Sequence, residues 1–310
     1  MGGGAVILLP VQKIKNSTMK TDLRSASQII PDQIKSNIYS DVKSALDNIT
    51  TIKDSFIVNP TVYRSESNLN PRVTNSANFL SERFQNNLRN NHGWSKEEKI
   101  IGQKIDAFKE YEVESKSYYL NEKKFREIHQ EYWRKNEGNV NISEFTRNMQ
   151  NFYYDRRHPE LIGELSDYRS KFNVSSRDDP ITYRVGLEFE TGNIASSFRS
   201  LTKLTVLYRE GKIDLGVFVA TSRKAATTIW PPSNRNGSFE ELENRHYRNA
   251  IVYPIMEVMF EPDGYSKDAP FLGSDGKLYQ IEPTGETVTK KGSVYQKYKG
   301  GGSTFLKEVN

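Results

Sequence analysis

The chain has 310 residues, of which 44 are Lys or Arg and 39 are Asp or Glu, for a formal net charge of +5. That length holds one substantial core with room for a small appended unit, and an aromatic content of 11% argues against a disordered chain although 27% of residues are charged. Cysteine is absent, which excludes disulfide scaffolds, Cys-ligated zinc, iron–sulfur clusters and thiol catalysis, and four histidines leave little material for a His-based zinc site. The apolar stretch Ala5 to Leu9 is too short for a signal-peptide core, and no run reaches the roughly 20 apolar residues of a membrane span, so a soluble cytoplasmic protein is expected. The mild positive excess suits a polyanionic partner without demanding one.

Residues 1–29 are rich in Gly, Ser and Lys without periodicity and read as a frayed lead-in. From Pro31, the spacing Ile34, Ile38, Val42, Leu46 predicts an amphipathic helix, and Leu80, Phe84 and Leu88 predict a second after an Asn-, Ser- and Pro-rich loop over 59–75. A short helical pattern is expected over Lys96 to Ile101. Residues 114–182 read as a helical insertion, with faces marked by Phe125, Ile128 and Tyr132, by Phe145, Met149 and Phe152, and by Leu161, Leu165 and Tyr168. Ser175 to Pro180 reads as a loop at its end. Strands are expected over 185–190, 213–220 and 251–260, with helices from Ile194 to about Tyr208 and from Ser222 to Ile229 between them. The tail from Glu261 shows turn chemistry at Gly273-Ser274-Asp275-Gly276. Alternating strands and helices predict an α/β fold, a central mixed β-sheet flanked by helices, with 30–113 and 183–310 forming its core and 114–182 inserted.

Chemistry concentrates in Val185-Gly186-Leu187-Glu188-Phe189-Glu190. A strand alternates faces, so Val185, Leu187 and Phe189 turn to a core while Glu188 and Glu190 project together from the other side. Two acids on one strand face, joined by a third from another element, are what a Mg²⁺ site for phosphodiester hydrolysis requires, because a hard cation takes oxygen ligands and polarises water. An isolated Glu-x-Glu is most often a pair of solvent-facing acids. The residues alone do not say which acid from another element is the third.

The surroundings of the acid pair carry more information. The run Val185 to Ile194, continued by Ser196, Arg199-Ser200, Lys203-Leu204, Gly211 and Ile213-Asp214-Leu215, resembles the BamHI-like type II restriction endonucleases in order and spacing. Phe239-Glu240-Glu241-Leu242-Glu243, the Gly273 to Gly276 turn and, upstream, Gly102 with Ile105 to Tyr111 are further matches. These enzymes belong to a nuclease superfamily in which many members carry Lys where this chain has Glu190. The resemblance implies that Asp106 and Glu188 ligate a divalent metal, Mg²⁺, helped by the Phe189 carbonyl. It implies that Glu190 orients or deprotonates the attacking water and offers Glu97 as a fourth acid in catalysis and metal binding. It favours Asp106 over Asp167.

The same resemblance implies a bacterial cytoplasmic enzyme, a homodimer on a short palindromic double-stranded DNA site, cleavage to 5′-phosphate and 3′-hydroxyl ends, and a cognate DNA methyltransferase as functional partner. Asn193 is either a base reader or a plain N-cap. Ser196, Arg199, Asn234, Arg235, Asp275 and Lys277 complete the expected DNA-binding set, Arg199 being equally suited to a surface ion pair. Asn234 stands where the family has an acid, Ala195 where it has a serine and Lys277 where it has a methionine, so the target sequence is expected to differ more than the chemistry. The basic insertion 114–182 either embraces DNA or is a solvated appendage. The alternatives are a sequence-specific DNA-binding protein without cleavage and a non-specific or structure-selective metal-dependent nuclease.

Overall fold

The computed structural model describes residues 13–14, 17–18, 30, 32–95, 98–119, 175–230, 237–247 and 254–309. Its centre is a four-stranded mixed sheet of β1 (Ala107–Tyr119), β2 (Ser175–Glu190), β3 (Leu215–Thr221) and β4 (Ile255–Phe260), in the order β4-β3-β2-β1. β2, β3 and β4 run parallel, and β1 pairs antiparallel with β2 along one edge. Every residue of β3 is buried, as expected of a parallel strand covered on both faces.

One face is covered by α1 (Asp32–Asp47) and α2 (Ala77–His92). Ile34, Ile38 and Val42 of α1 and Phe79, Leu80, Phe84 and Leu88 of α2 pack on Val185, Leu187, Phe189, Val217, Val219 and Val258. Phe84, Phe189 and Phe260 stack in series with centroids 4.6 and 5.2 Å apart. Ser76 caps α2, its side chain accepting from the Asn78 N–H, and Gly93 ends the helix at φ 68°, which a side chain would resist.

The other face receives α3 (Ile194–Arg209), whose Leu201, Leu204 and Leu207 pack with Ile213, Phe218 and Ala220. The short helices α4 (Arg223–Ile229) and α5 (Phe239–Asn244) follow, Phe239 and Leu242 of α5 completing this second core. The result is an α/β fold with helices on both faces of a mixed sheet, as the sequence predicts. Arg184 clasps the buried Asp214 through Nε (3.1 Å) and Nη2 (2.8 Å) and donates from Nη1 to the Gly211 carbonyl (2.6 Å). This bidentate pair pins the middle of β2 to the α3–β3 turn, just before the acid-bearing residues and where β3 begins to pair.

Several local expectations are corrected. Residues 98–100 are not helical: Glu98–Ile100 pairs antiparallel with Gln103–Ile105, because Ile101 and Gly102 take φ 44° and 80° and close a two-residue hairpin turn. Residues 114–119 and 175–182 are neither helix nor loop but continue β1 and β2, in register from Ala107 opposite Leu187 to Tyr119 opposite Ser175. Pro180 is tolerated there because β3 joins β2 only from Val185 onward, leaving one side of β2 without a ladder partner in that sheet. The helices expected around Phe125 to Tyr168, and Asp167 with them, lie outside the described residues. So does most of the lead-in, apart from Lys13–Ile14 paired with Ser17–Thr18.

The tail holds more structure than its composition suggests. β5 (Glu282–Lys290), β6 (Ser293–Gly300) and β7 (Ser303–Glu308) form a meander that extends through Tyr63–Ser65 to Pro71–Arg72 as a five-stranded antiparallel sheet. Its two hairpin turns are Lys291-Gly292 and Gly301-Gly302, all four residues at positive φ, the turn geometry that matches strand twist.

Asp41 joins the helical layer to β1. Its Oδ2 accepts from Tyr111 Oη (2.7 Å), Lys109 Nζ (2.8 Å) and Trp94 Nε1 (3.0 Å), and Oδ1 lies 3.2 Å from His92 Nδ1. Burial works to raise the Asp41 pKa, but the bonds from Lys109, Tyr111 and Trp94 outweigh it and the net shift is downward. Asp41→Asn is expected to destabilise the fold by about 2 kcal/mol in urea unfolding at pH 7, since it leaves Lys109 and Trp94 poorly paired. Because the folded pKa is depressed, this contribution is complete above the unfolded value and fades as pH falls through the folded one, so wild type and variant should converge in acid.

Candidate active site

The acid face of β2 is built by its register. Val185, Leu187 and Phe189 enter the α1–α2 core, which sends Gly186, Glu188 and Glu190 toward α3. Gly186 is needed because a Cβ there would approach Ile213 Cγ2 to 3.1 Å, so α3 and its following turn close down beside the acids. Asp106 immediately precedes β1 and is held on the backbone of β2: its N–H donates to the Leu187 carbonyl (3.1 Å) and its Oδ2 accepts from the Phe189 N–H (2.8 Å). Its carboxylate is therefore fixed at the residue between them, Glu188.

Glu188 is 1% exposed. Burial, then the neighbouring Asp106 charge, push its pKa up to about 7, against the lowering influence of Lys203 and Ser200. Burial also raises Glu190, where the Gly192 N–H opposes the shift and Asp106 adds to it. Glu190 Oε2 accepts from the Gly192 N–H and Oε1 from Ser200 Oγ, each at 3.3 Å. The Lys203 ammonium stands 2.7 Å from Glu188 Oε1 and donates to the Lys104 carbonyl at 2.9 Å. The carboxyls of Glu188 and Glu190 thus lie near enough to Asp106 to feel its charge where β1 and β2 pair, and among the described residues the Lys203 ammonium offsets them at Glu188.

A model of the restriction endonuclease BamHI family matches residues 13–277. The chain belongs to the BamHI restriction endonuclease family. The type II restriction enzyme BamHI of Bacillus amyloliquefaciens is 36% identical over 95 residues, 30% of this chain and 43% of that protein. The chain therefore spans less than half the length of this curated relative in that match. The family match ends before β5, so the meander of β5 to β7 lies beyond it.

Of the residues that resemblance to the BamHI family singles out, Asp106, Glu188 and Glu190 come together. Their donors are all oxygen, and a cation, the Lys203 ammonium, already rests on Glu188; both observations fit a hard divalent metal. Among the described residues no three His, Asp or Glu side chains are grouped closely enough to hold a metal by themselves. Glu97, Asn234 and Arg235 lie outside the described residues.

Asn193 caps α3, its Oδ1 accepting from the Ser196 N–H at 3.0 Å. Arg199 is exposed on α3 one residue before Ser200. Asp275 and Lys277 are exposed and belong to a separate tight turn, in which the Lys277 N–H donates to Asp275 Oδ1 (3.2 Å) and Gly276 takes φ 73° against Glu82 of α2. They are not part of the acid cluster.

Two site residues carried no assigned role in the sequence reading, Ser200 and Lys203. With Ser197, whose Oγ donates to the Gly237 carbonyl at 2.8 Å, they recur every third residue and share one side of α3. The visible signal was a polar i, i+3, i+6 stripe beside the apolar Leu201, Leu204, Leu207 stripe. Its meaning depends on which strand face it meets.

Proposed function

We propose that this protein is a type II restriction endonuclease that hydrolyses phosphodiester bonds at a short palindromic site in double-stranded DNA, with Mg²⁺, leaving 5′-phosphate and 3′-hydroxyl ends. The observation that carries this reading is the meeting of Asp106, Glu188 and Glu190 at the edge of β1 and β2. Asp106, Glu188 and the Phe189 carbonyl would hold the metal, with Glu97 as the fourth acid. Bound there, Mg²⁺ supplies charge neutralisation at the phosphate and polarisation of a water. Glu190, whose pKa burial raises and whose carboxyl Gly192 and Ser200 orient, is suited to hold that water and take its proton.

Asn193, Ser196 and Arg199 at the start of α3, together with Asn234, Arg235, Asp275 and Lys277, form the proposed DNA-reading set. Arg235 suits bidentate contact with guanine, while Asn234 cannot act as the carboxylate acceptor for cytosine that the family pattern carries, so the target is proposed to differ at that pair. A palindromic target calls for two copies of the site, so a homodimer is proposed, with α3 as the place of the two-fold contact by resemblance to the family. A partner methyltransferase protecting host DNA and a cytoplasmic location complete the reading; no helix among the described residues is long and apolar enough to cross a membrane.

Plasmid DNA incubated with the protein and Mg²⁺ should yield discrete fragments, and sequencing their ends should return one site with 5′-phosphates. Shifted but uncut DNA would identify a binding protein without cleavage, and a smear a non-specific nuclease; either result overturns the proposal.

A further inference from the structure

Among the described residues a cation rests on Glu188, and it arrives from a different element than the acids. Lys203 lies on the third turn of α3, on the side that carries Ser197 and Ser200, and its ammonium is 2.7 Å from Glu188 Oε1 and 2.9 Å from the Lys104 carbonyl. Its side chain is 22% exposed, that of Glu188 only 2%. Lys104 lies two residues before Asp106, so the ammonium bridges the two chain segments that supply the carboxyls. One carboxylate oxygen and one carbonyl oxygen around a positive charge reproduce the kind of donors a hard metal ion takes.

We propose that Lys203 is a positioning residue, the built-in counter-cation of the catalytic carboxylates. It holds the Glu188 carboxyl in place against the Lys104 carbonyl in the free protein, and yields that place to a divalent metal. The proposal rests on Glu188 being a metal ligand, as argued above. Two positive charges cannot share Glu188 Oε1 without mutual repulsion, so Lys203 and the metal compete for that oxygen. Competition of this kind would keep metal occupancy low in the DNA-free protein, and a DNA phosphate would offer the displaced ammonium another negative partner. Glu190 occupies the strand position where many related nucleases carry lysine, and α3 returns a lysine to the same cluster from the opposite side.

The test is Mn²⁺ binding to the DNA-free protein, followed by electron paramagnetic resonance at pH 8.5, where the carboxyls are ionised. Lys203→Met is expected to bind Mn²⁺ about tenfold more tightly than wild type, and Lys203→Arg, which keeps the charge, close to wild type. Lys203→Gln keeps a donor for the Lys104 carbonyl and serves if the methionine variant does not fold; it too should bind more tightly. The same variants should cleave DNA at least tenfold more slowly at saturating Mg²⁺, with Lys203→Arg partly restoring the rate. Unchanged or weaker Mn²⁺ binding in both charge-removing variants overturns the proposal. Glu188→Gln measured in parallel separates the two levels: if it binds Mn²⁺ like wild type, the assignment of Glu188 as a ligand fails, whereas weaker binding there with no gain in Lys203→Met sinks the role of Lys203 alone.

Discussion

Glu188→Gln is expected to lower DNA cleavage at saturating Mg²⁺ by about three orders of magnitude while leaving sequence-specific DNA binding in Ca²⁺ within a few-fold of wild type. Glutamine matches glutamate in volume, so Leu187, Phe189 and the Phe84–Phe189–Phe260 stack keep their packing. What is lost is a negative charge and one anionic oxygen at a position 1% exposed, where water cannot substitute for either. The described members of the proposed DNA-reading set cap or ride on α3 or sit in the Gly273 to Gly276 turn and its flank, outside β2, so affinity should survive. Single-turnover cleavage alongside filter binding provides the comparison. Cleavage within tenfold of wild type would remove Glu188 from the reaction and with it the proposed site.

The second large effect concerns stability and pH in the absence of metal. Burial and Asp106 raise Glu188 from an ordinary value of 4.5 to about 7. A carboxyl with a raised folded pKa binds more protons in the folded than in the unfolded state between those values. Its contribution is therefore present below about 4.5 and is lost as pH rises through about 7. The full span corresponds to at most ~3 kcal/mol, the limit for a shift of this size. Urea unfolding in EDTA should show wild type losing stability relative to Glu188→Gln from pH 5 to pH 8, the difference between them isolating this group from carboxyls such as Asp41 that respond in the opposite direction. Mg²⁺ at pH 8 should restore part of the wild-type loss and do much less for the variant. Parallel pH dependence of the two proteins would show that Glu188 ionises without penalty and is not packed against Asp106.

Function and burial thus pull against each other at β2. A nuclease needs anionic oxygens in a place dry enough for a metal to act strongly, and such a place raises the free energy of the anions it holds. The chain meets this conflict with backbone N–H groups on Asp106 and Glu190, and with the Lys203 ammonium on Glu188. Each support is local to the edge where β1, β2 and α3 meet.

Much of this was legible in the residue order. The four-residue spacing of Ile34, Ile38, Val42 and Leu46 and of Leu80, Phe84 and Leu88 marked two helices, because a helix with one buried side must repeat near that period. Strict alternation over Val185 to Glu190 marked both the strand and the face on which its acids stand. Asp106 could be preferred over Asp167 only through the resemblance of its flanking residues. Glycine-bearing two-residue turns at Lys291-Gly292 and Gly301-Gly302 were present as signals, yet β5 is largely exposed, β6 is mostly half-buried, and neither has an apolar period. Short exposed strands announce themselves weakly because their stability comes from neighbours rather than from their own composition.

What the sequence determined by itself is therefore α1 to α4, the strands that carry the acids and follow them, the pairing of Glu188 with Glu190 on one strand face, and the family to which their surroundings point, whereas β1 and α5 were not marked by any period. Local periodicity and local chemistry suffice for these, since each is written within a few consecutive residues. Tertiary structure alone decided which groups surround those acids. Asp106, 82 residues before Glu188 by their numbers, reaches it only because β1 pairs with β2, and Lys203 reaches it only because α3 folds back across the sheet face on which the acids stand. Electrostatic neighbourhood depends on distance through space, and no spacing along the chain encodes it.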